Sequence, residues 1–221
     1  MSGVSPIKNV ADAVSGVVER LTLPAREKKQ LSIVNHRLEG DGVVHVDCGK
    51  NTQVIAGPDM IILHYTAGSS VMSSVRYLAR PDVAASAHLV IGRAGEVVQL
   101  VPFNIVAWHA GKSRYAGRSG LNHCSLGIEL DNLGQLRQEG GKFVAECGVV
   151  VPFDEVYVDE AGSGKTYWHR YTEVQERVLA EVCGVLTDSY SIQEIVGHSD
   201  VTERKVDPGP ALQLPDWVRY Y

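Results

Sequence analysis

Residues 60–68 read M-I-I-L-H-Y-T-A-G: four apolar residues running into a histidine and then a small, polar loop. A short unbroken apolar run bounded by turn residues is the pattern of a strand buried on both faces. His64 therefore falls at the end of a strand, on the rim of a sheet.

Working outward, residues 71–79 have helical spacing and stop near Pro81, which lacks an amide donor and restricts the residue before it. Residues 87–91 and 96–101 flank Gly92-Arg93-Ala94-Gly95 and are expected to pair as a β-hairpin. S-L-G-I-E-L at 125–130 predicts a further strand. Thr172 and Gln175 have the spacing of a capping box, and Val174, Val178, Val182 and Val185 carry a helix from there to about Tyr190. Residues 192–197 then form a strand that delivers His198 at its end, ahead of a polar loop reaching D-P-G-P at 207–210. Strands interleaved with helices predict one α/β domain, a mixed central β-sheet flanked by helices, which we assign to residues 58–221.

The preceding residues, 1–57, read as an N-terminal extension. Val10, Val14, Val17, Val18 and Leu21 recur at helical spacing and predict an amphipathic helix. Asp41-Gly42 is a turn signal, and Val43, Val44 and Val46 suggest a short strand in a lead-in segment. Residues 131–171 are long for a connection and are expected to carry a partial hairpin around Gly140-Gly141.

Bulk properties narrow the function. A chain of 221 residues with 44% apolar content supports one sizeable core. The net charge of -5 and pI near 5.9 give no basic field to hold nucleic acid. No apolar run approaches the roughly 20 residues of a membrane span. The start, MSGVSPIKNVADAVSGVVERL, lacks the basic region, apolar stretch and small-residue cleavage site of a secretory signal, so a cytoplasmic protein is expected. Cys48, Cys124, Cys147 and Cys183 show no paired CxxC spacing, which argues against a thiolate zinc site or a disulfide framework. The sequence specifies no oligomeric state.

Chemistry concentrates at strand ends. His64, His198 and Asp207 supply two imidazoles and a carboxylate, and three protein ligands leave the fourth tetrahedral position of a zinc ion open, as catalytic sites require. Each is by itself also compatible with an ordinary structural role. Glu129 lies among apolar neighbours, where a carboxylate costs free energy unless it is paired or functional; a raised pKa would let it shuttle a proton. An outward-facing strand position is the alternative. Lys205, two before Asp207, is placed either to support an oxyanion or simply to be solvated in the Glu203-Arg204-Lys205 loop. Trp108 offers an indole face for a sugar ring or fills a core.

Four segments together resemble one known family. They are IILHYTAG at 61–68, SAHLVIGRAGEVVQLVP at 86–102, AWHAGKSRYAGRSGLNHCSLGIEL at 107–130 and IVGHSDVTERKVDPGP at 195–210, and they occur in family order. The sequence resembles the type 2 N-acetylmuramoyl-L-alanine amidases, which include muropeptide-recycling amidases, amidase-type phage lysozymes and peptidoglycan recognition proteins. The resemblance implies that His64, His198 and Asp207 bind one Zn2+, that Glu129 is the catalytic carboxylate, and that Lys205 assists at the oxyanion. It also implies a groove for a peptidoglycan or muropeptide substrate. Trp108 and His109 fall in a segment that lines it in relatives, and Tyr65 and Asn122 are further expected contacts. Asp at position 207 followed by Pro-Gly-Pro is similar to the recycling branch, whereas other branches tend to place cysteine there. The stretch between His198 and Lys205 departs from the usual HxDxxPGRKxDPGP form, being one residue shorter and lacking its proline and glycine.

The implied reaction is hydrolysis of the amide between the lactyl group and the first alanine of the stem peptide. Two other readings compete with a recycling enzyme. One is a module that grips peptidoglycan without cutting it, for which a lost ligand would be the sign; all three are present. The other is a phage endolysin acting on intact wall and released by lysis. A general zinc peptidase would show a helical HExxH pair, and none occurs.

Overall fold

The computed structural model describes residues 30–161 and 164–213. The amphipathic helix expected over Val10 to Leu21 lies outside them. At the centre is a six-stranded mixed sheet. Its strands are β3 (Val43–His45), β4 (Met60–Tyr65), β5 (Leu89–Ile91), β6 (Val97–Gln99), β9 (Ser125–Leu130) and β15 (Glu194–Gly197), and the spatial order is β15-β4-β9-β5-β6-β3. β15, β4, β9 and β5 run parallel, β6 returns antiparallel to β5 as the predicted hairpin, and β3 adds parallel to β6. The lead-in segment thus supplies the edge strand of the main sheet, and Leu38 within it is wholly buried in the main core. Ahead of β3, β1 (Ser32–Val34) and β2 (Arg37–Glu39) form a small hairpin, as do β7 (Arg114–Tyr115) and β8 (Arg118–Ser119) ahead of β9.

Helices cover both faces. α1 (Val71–Ala79) starts at Ser70, whose side chain accepts from the Ser73 amide while Ser73 reciprocates, and it packs Val71, Val75 and Leu78 against Val90, Val98 and Leu100. α2 (Glu173–Ser189) lies on the other face, setting Leu179, Val182, Cys183 and Leu186 against Ile61, Leu63, Leu126 and Ile128. Period-two alternation along β4 divides its side chains between these faces: Ile61 and Leu63 toward α2, Ile62 and His64 away from it.

Thr172 caps α2 by accepting from the Gln175 amide, but the reciprocal half of the expected capping box is not made. The Gln175 side chain is buried and donates instead to the carbonyls of Ile91 and Asp131, tying the helix to the ends of two strands. The buried stripe of α2 is accordingly Gln175, Leu179, Val182, Cys183 and Leu186; of the four valines read from the sequence, Val182 lies in it, Val178 and Val185 flank it, and Val174 is 36% exposed.

Residues 131–171 hold more than a partial hairpin. β10 (Gln135–Glu139), β11 (Lys142–Ala145), β12 (Val150–Val151), β13 (Val156–Asp159) and β14 (Thr166–His169) make a five-stranded antiparallel sheet in the order β12-β11-β10-β14-β13. Gly140-Gly141 turns β10 into β11, both glycines having positive φ, as a tight hairpin requires. This second sheet has its own small core of Leu136, Phe143, Ala145, Val151 and Val156. The four cysteines are free. Among the described residues, no helix is long and apolar enough to cross a membrane.

Candidate active site

The four parallel strands end together, and ligand sites of α/β sheets lie outside the carboxyl ends of such strands. His64 is the fifth residue of β4 and is paired in register with Glu129 of β9, so both project from one face at that end. β15 stops at Gly197, and His198 opens the one-turn helix α3 (His198–Val201). The loop after α3 folds back over the strand end: the Ser199 amide donates to the Asp207 carbonyl at 2.9 Å, and Tyr171 Oη donates to the Pro208 carbonyl at 2.8 Å. That return brings Asp207 to the two histidines, although nine positions separate it from the second.

His64 Nδ1, His198 Nδ1 and Asp207 Oδ2 stand at the corners of a triangle 3.0 Å on every side, all three side chains buried. Hydrogen bonding cannot account for the whole triangle. The carboxylate oxygen brings no proton, and two imidazole nitrogens facing each other and the same oxygen leave at least one edge without a donor–acceptor match. Three lone pairs converging on a cation satisfy every edge. Ligand atoms of a tetrahedral zinc site with bonds of about 2.0–2.1 Å lie ~3.3 Å apart, close to the spacing found. The donor set and spacing fit a divalent metal with an open fourth position.

The electrostatics agree with that use. Burial lowers the pKa of His64, and it takes His88 down to about 4 and His109 well below the ordinary histidine value, so these rings are neutral at pH 7. Burial pushes the Asp207 carboxyl up, but the imidazoles 3.0 Å away outweigh it and hold the group well below the ordinary carboxylate range. A neutral imidazole at His64 and an ionised carboxylate at Asp207 are ligand forms that zinc binds.

Glu129 has the opposite environment. Burial first, and the negative charge of Asp207 second, raise its pKa to about 8 against the pull of Lys205, and its Oε2 is shut from solvent without a hydrogen-bond partner. An acceptor left unpaired in a buried site costs roughly 1–3 kcal/mol, a cost that a purely structural position has no reason to bear. The outward-facing alternative is excluded. Because the folded-state pKa lies above the ordinary value of 4.5, the stability linked to protonated Glu129 is present in full below about pH 4.5 and is lost as pH rises through about 8. Metal-free Glu129→Gln should therefore exceed metal-free wild type in stability by ~3–5 kcal/mol above pH 8 and match it near pH 4.5, as read by urea unfolding in chelator. A difference independent of pH would show that Glu129 is not held protonated.

A cleft of about 590 Å³ opens over these groups, with His64, Glu129, His198, Lys205 and Asp207 all in its lining. Tyr65 and Trp108 also line it, Trp108 with 38% of its surface exposed and Lys50 Nζ 5.9 Å from its ring centroid. Glu146, from the turn between β11 and β12, closes the wall from the second sheet. Lys205 is exposed on the rim, and its charge acts on both His64 and Glu129.

The family profile described as N-acetylmuramoyl-L-alanine amidase matches residues 54–210, most of the chain and every residue of this cleft. The chain belongs to the N-acetylmuramoyl-L-alanine amidase family. Among these amidases it is similar to the 1,6-anhydro-N-acetylmuramyl-L-alanine amidase AmpD of Escherichia coli K12, with 36% identity over 138 residues, 61% of this chain and 56% of that protein. The chain thus spans about half the length of the curated relatives it matches. Of solved structures, a selenomethionine derivative of AmpD superposes with a TM-score of 0.57 at 26% identity, covering 82% of this chain and 94% of that one. AmpDh3 of Pseudomonas aeruginosa, in complex with an anhydromuramic pentapeptide, gives 0.53 at 30% identity, covering 73% and 59%. These amidase neighbours share the mixed central sheet with few helices, and the resemblance to the recycling branch holds.

Two of the expected substrate contacts also hold other parts of the site. Asn122 is absent from the cleft lining; its Oδ1 accepts from the amides of His109 and Ala110 at 3.1 and 2.8 Å and so fixes the loop that carries Trp108 and His109. A short polar side chain in a loop is as apt to hold backbone as ligand, and sequence alone does not separate these uses. His109 reaches the cleft and also backs His64, with its Nδ1 3.1 Å from His64 Nε2. Ser125 and Gly127, which meet His109 from β9, carried no functional expectation. The signal for them is the period-two spacing of Ser125, Gly127 and Glu129 on one face of that strand.

Proposed function

We propose that this chain is a zinc-dependent N-acetylmuramoyl-L-alanine amidase that hydrolyses the amide between the lactyl group and L-alanine in soluble muropeptides. The observation that carries the reading is the 3.0 Å triangle of His64, His198 and Asp207 beside a half-buried Glu129 whose Oε2 is shut from solvent without a hydrogen-bond partner. His64, His198 and Asp207 would hold the ion. Zinc bound there supplies a Lewis acid for the amide carbonyl and brings the pKa of a water toward neutrality.

Glu129 accepts the proton of the attacking water and returns it to the alanine nitrogen as the C–N bond breaks; a pKa near neutrality suits a group that must do both. Lys205 faces the charge that develops on the carbonyl oxygen. Removing one such donor typically costs ~10²–10³-fold in kcat, so Lys205→Ala should lose turnover on that scale with KM little changed. A loss confined to KM would reassign Lys205 to ground-state binding. Trp108 and Tyr65 offer aromatic faces in the cleft to the sugar or the stem peptide.

The complex of a structural neighbour with an anhydromuramic pentapeptide supports a muropeptide substrate for this chain, as does the name of the E. coli relative. The net charge of -5 gives the protein no general attraction to an anionic wall. Purified protein should release stem peptide from soluble anhydromuropeptide and leave intact sacculi nearly untouched, with chelator abolishing release. Faster release from sacculi would favour the endolysin reading, and tight binding of either substrate without release would favour a non-catalytic module.

A further inference from the structure

We infer that His109 and Ser125 are positioning residues that fix the tautomer of His64, leaving its Nδ1 bare for a metal. The inference deepens the metal reading above and rests on it. It follows from counting protons along one chain of contacts. Ser125 Oγ lies 2.7 Å from the Leu121 carbonyl, which can only accept, so the hydroxyl proton points there. What Ser125 presents to His109 Nε2, 3.3 Å away, is then a lone pair. His109 must carry its proton on Nε2 to match it.

A neutral imidazole holds one proton, so His109 Nδ1 is an acceptor. It faces His64 Nε2 at 3.1 Å with the two rings nearly perpendicular, an interplanar angle of 83°, which suits an N–H directed at a neighbour's lone pair. His64 therefore keeps its proton on Nε2 and presents an unprotonated Nδ1 to His198 and Asp207. Metal-binding histidines are generally oriented by a partner on the second ring nitrogen. Here that partner is another histidine rather than a carboxylate, which spares the site a further negative charge.

Gly127 makes the arrangement sterically possible. A Cβ there would fall 2.3 Å from His109 Cγ and 2.6 Å from its Nδ1, so any larger residue would displace the ring. The Gly127 amide in turn donates to His88 Nδ1 at 2.9 Å, and His88 Nε2 donates to the Ile105 carbonyl, so the neighbouring histidine is fully used and cannot compete for His64. One face of β9 thus carries a proton acceptor for His109 at Ser125, the space for its ring at Gly127, and the half-buried carboxylate at Glu129.

The test compares wild type, His109→Leu and His109→Gln, each checked for folding by circular dichroism. The readouts are zinc affinity by chelator competition and the tautomer of His64 by ¹⁵N NMR of the metal-free protein. Wild type should show His64 protonated on Nε2. His109→Leu should lose ~10–100-fold in zinc affinity, and His109→Gln, whose amide oxygen accepts from the same N–H, should recover most of it. An Nδ1–H tautomer in wild type overturns the inference even if no variant folds, as does full zinc affinity in His109→Leu. Absence of zinc binding in wild type that nevertheless shows the Nε2–H tautomer would instead sink the metal reading and leave the wiring standing.

Discussion

Glu129→Gln is expected to retain one zinc per chain and to lose ~10²–10⁴-fold in kcat, the range typical of a missing general acid–base. The amide is close to isosteric with the carboxyl, and Glu129 is not one of the three converging donors, so the metal has no reason to leave. What disappears is a half-buried carboxylate beside the triangle whose pKa is raised to about 8. Binding zinc will draw that pKa down, since a nearby cation favours the ionised form. The pH profile of kcat/KM should therefore show a base titrating below 8 in wild type and lack that limb in the variant. Zinc quantitation alongside steady-state release of stem peptide measures both halves. Loss of zinc together with activity would make Glu129 a structural support of the site, and unchanged turnover would remove it from the mechanism.

The second large effect concerns the ligands themselves. His198→Ala should abolish stoichiometric zinc binding and reduce peptide release to background, a deeper loss than that of Glu129→Gln. Two remaining donors would hold the ion weakly, and Asp207 would sit buried with only one imidazole beside it. The loop after α3 is anchored through Ser199 and Pro208 rather than through the His198 ring, so the fold should persist. Thermal unfolding separates the cases: added zinc should raise the Tm of wild type through preferential binding to the folded state and leave that of His198→Ala unmoved. Equal zinc-induced stabilisation of both would place the binding site elsewhere.

Much of this architecture was legible because the decisive segments are locally consistent. The runs at 60–64 and 125–130 are apolar enough to read as buried strands; the second has the bounds of β9, and the first falls one residue short of the end of β4. Pro81 marks the stop of α1, and the glycine-flanked turn at 92–95 marks the hairpin. His64, His198, Asp207 and Glu129 were nominated by chemistry, but their convergence depends on a sheet register and a loop return that residue spacing does not encode; the family resemblance supplied that link. The second sheet stayed hidden for a different reason. Its strands are short, and β10 reads Q-L-R-Q-E with Leu136 alone buried, which leaves almost no periodic signal. The valine spacing shows that α2 is a helix but not its buried face, which includes the polar Gln175 because that side chain satisfies strand-end carbonyls. Asn122 shows the same limit at the site, since a polar side chain that holds backbone looks identical in sequence to one that lines a cleft.

The measurement that bears most directly on the account is an anomalous difference map at the zinc absorption edge from crystals of the zinc-loaded protein. The account predicts one strong peak per chain within bonding distance of His64 Nδ1, His198 Nδ1 and Asp207 Oδ2, open on the side facing Glu129. No peak there, or an ion closed by a fourth protein ligand, would contradict it.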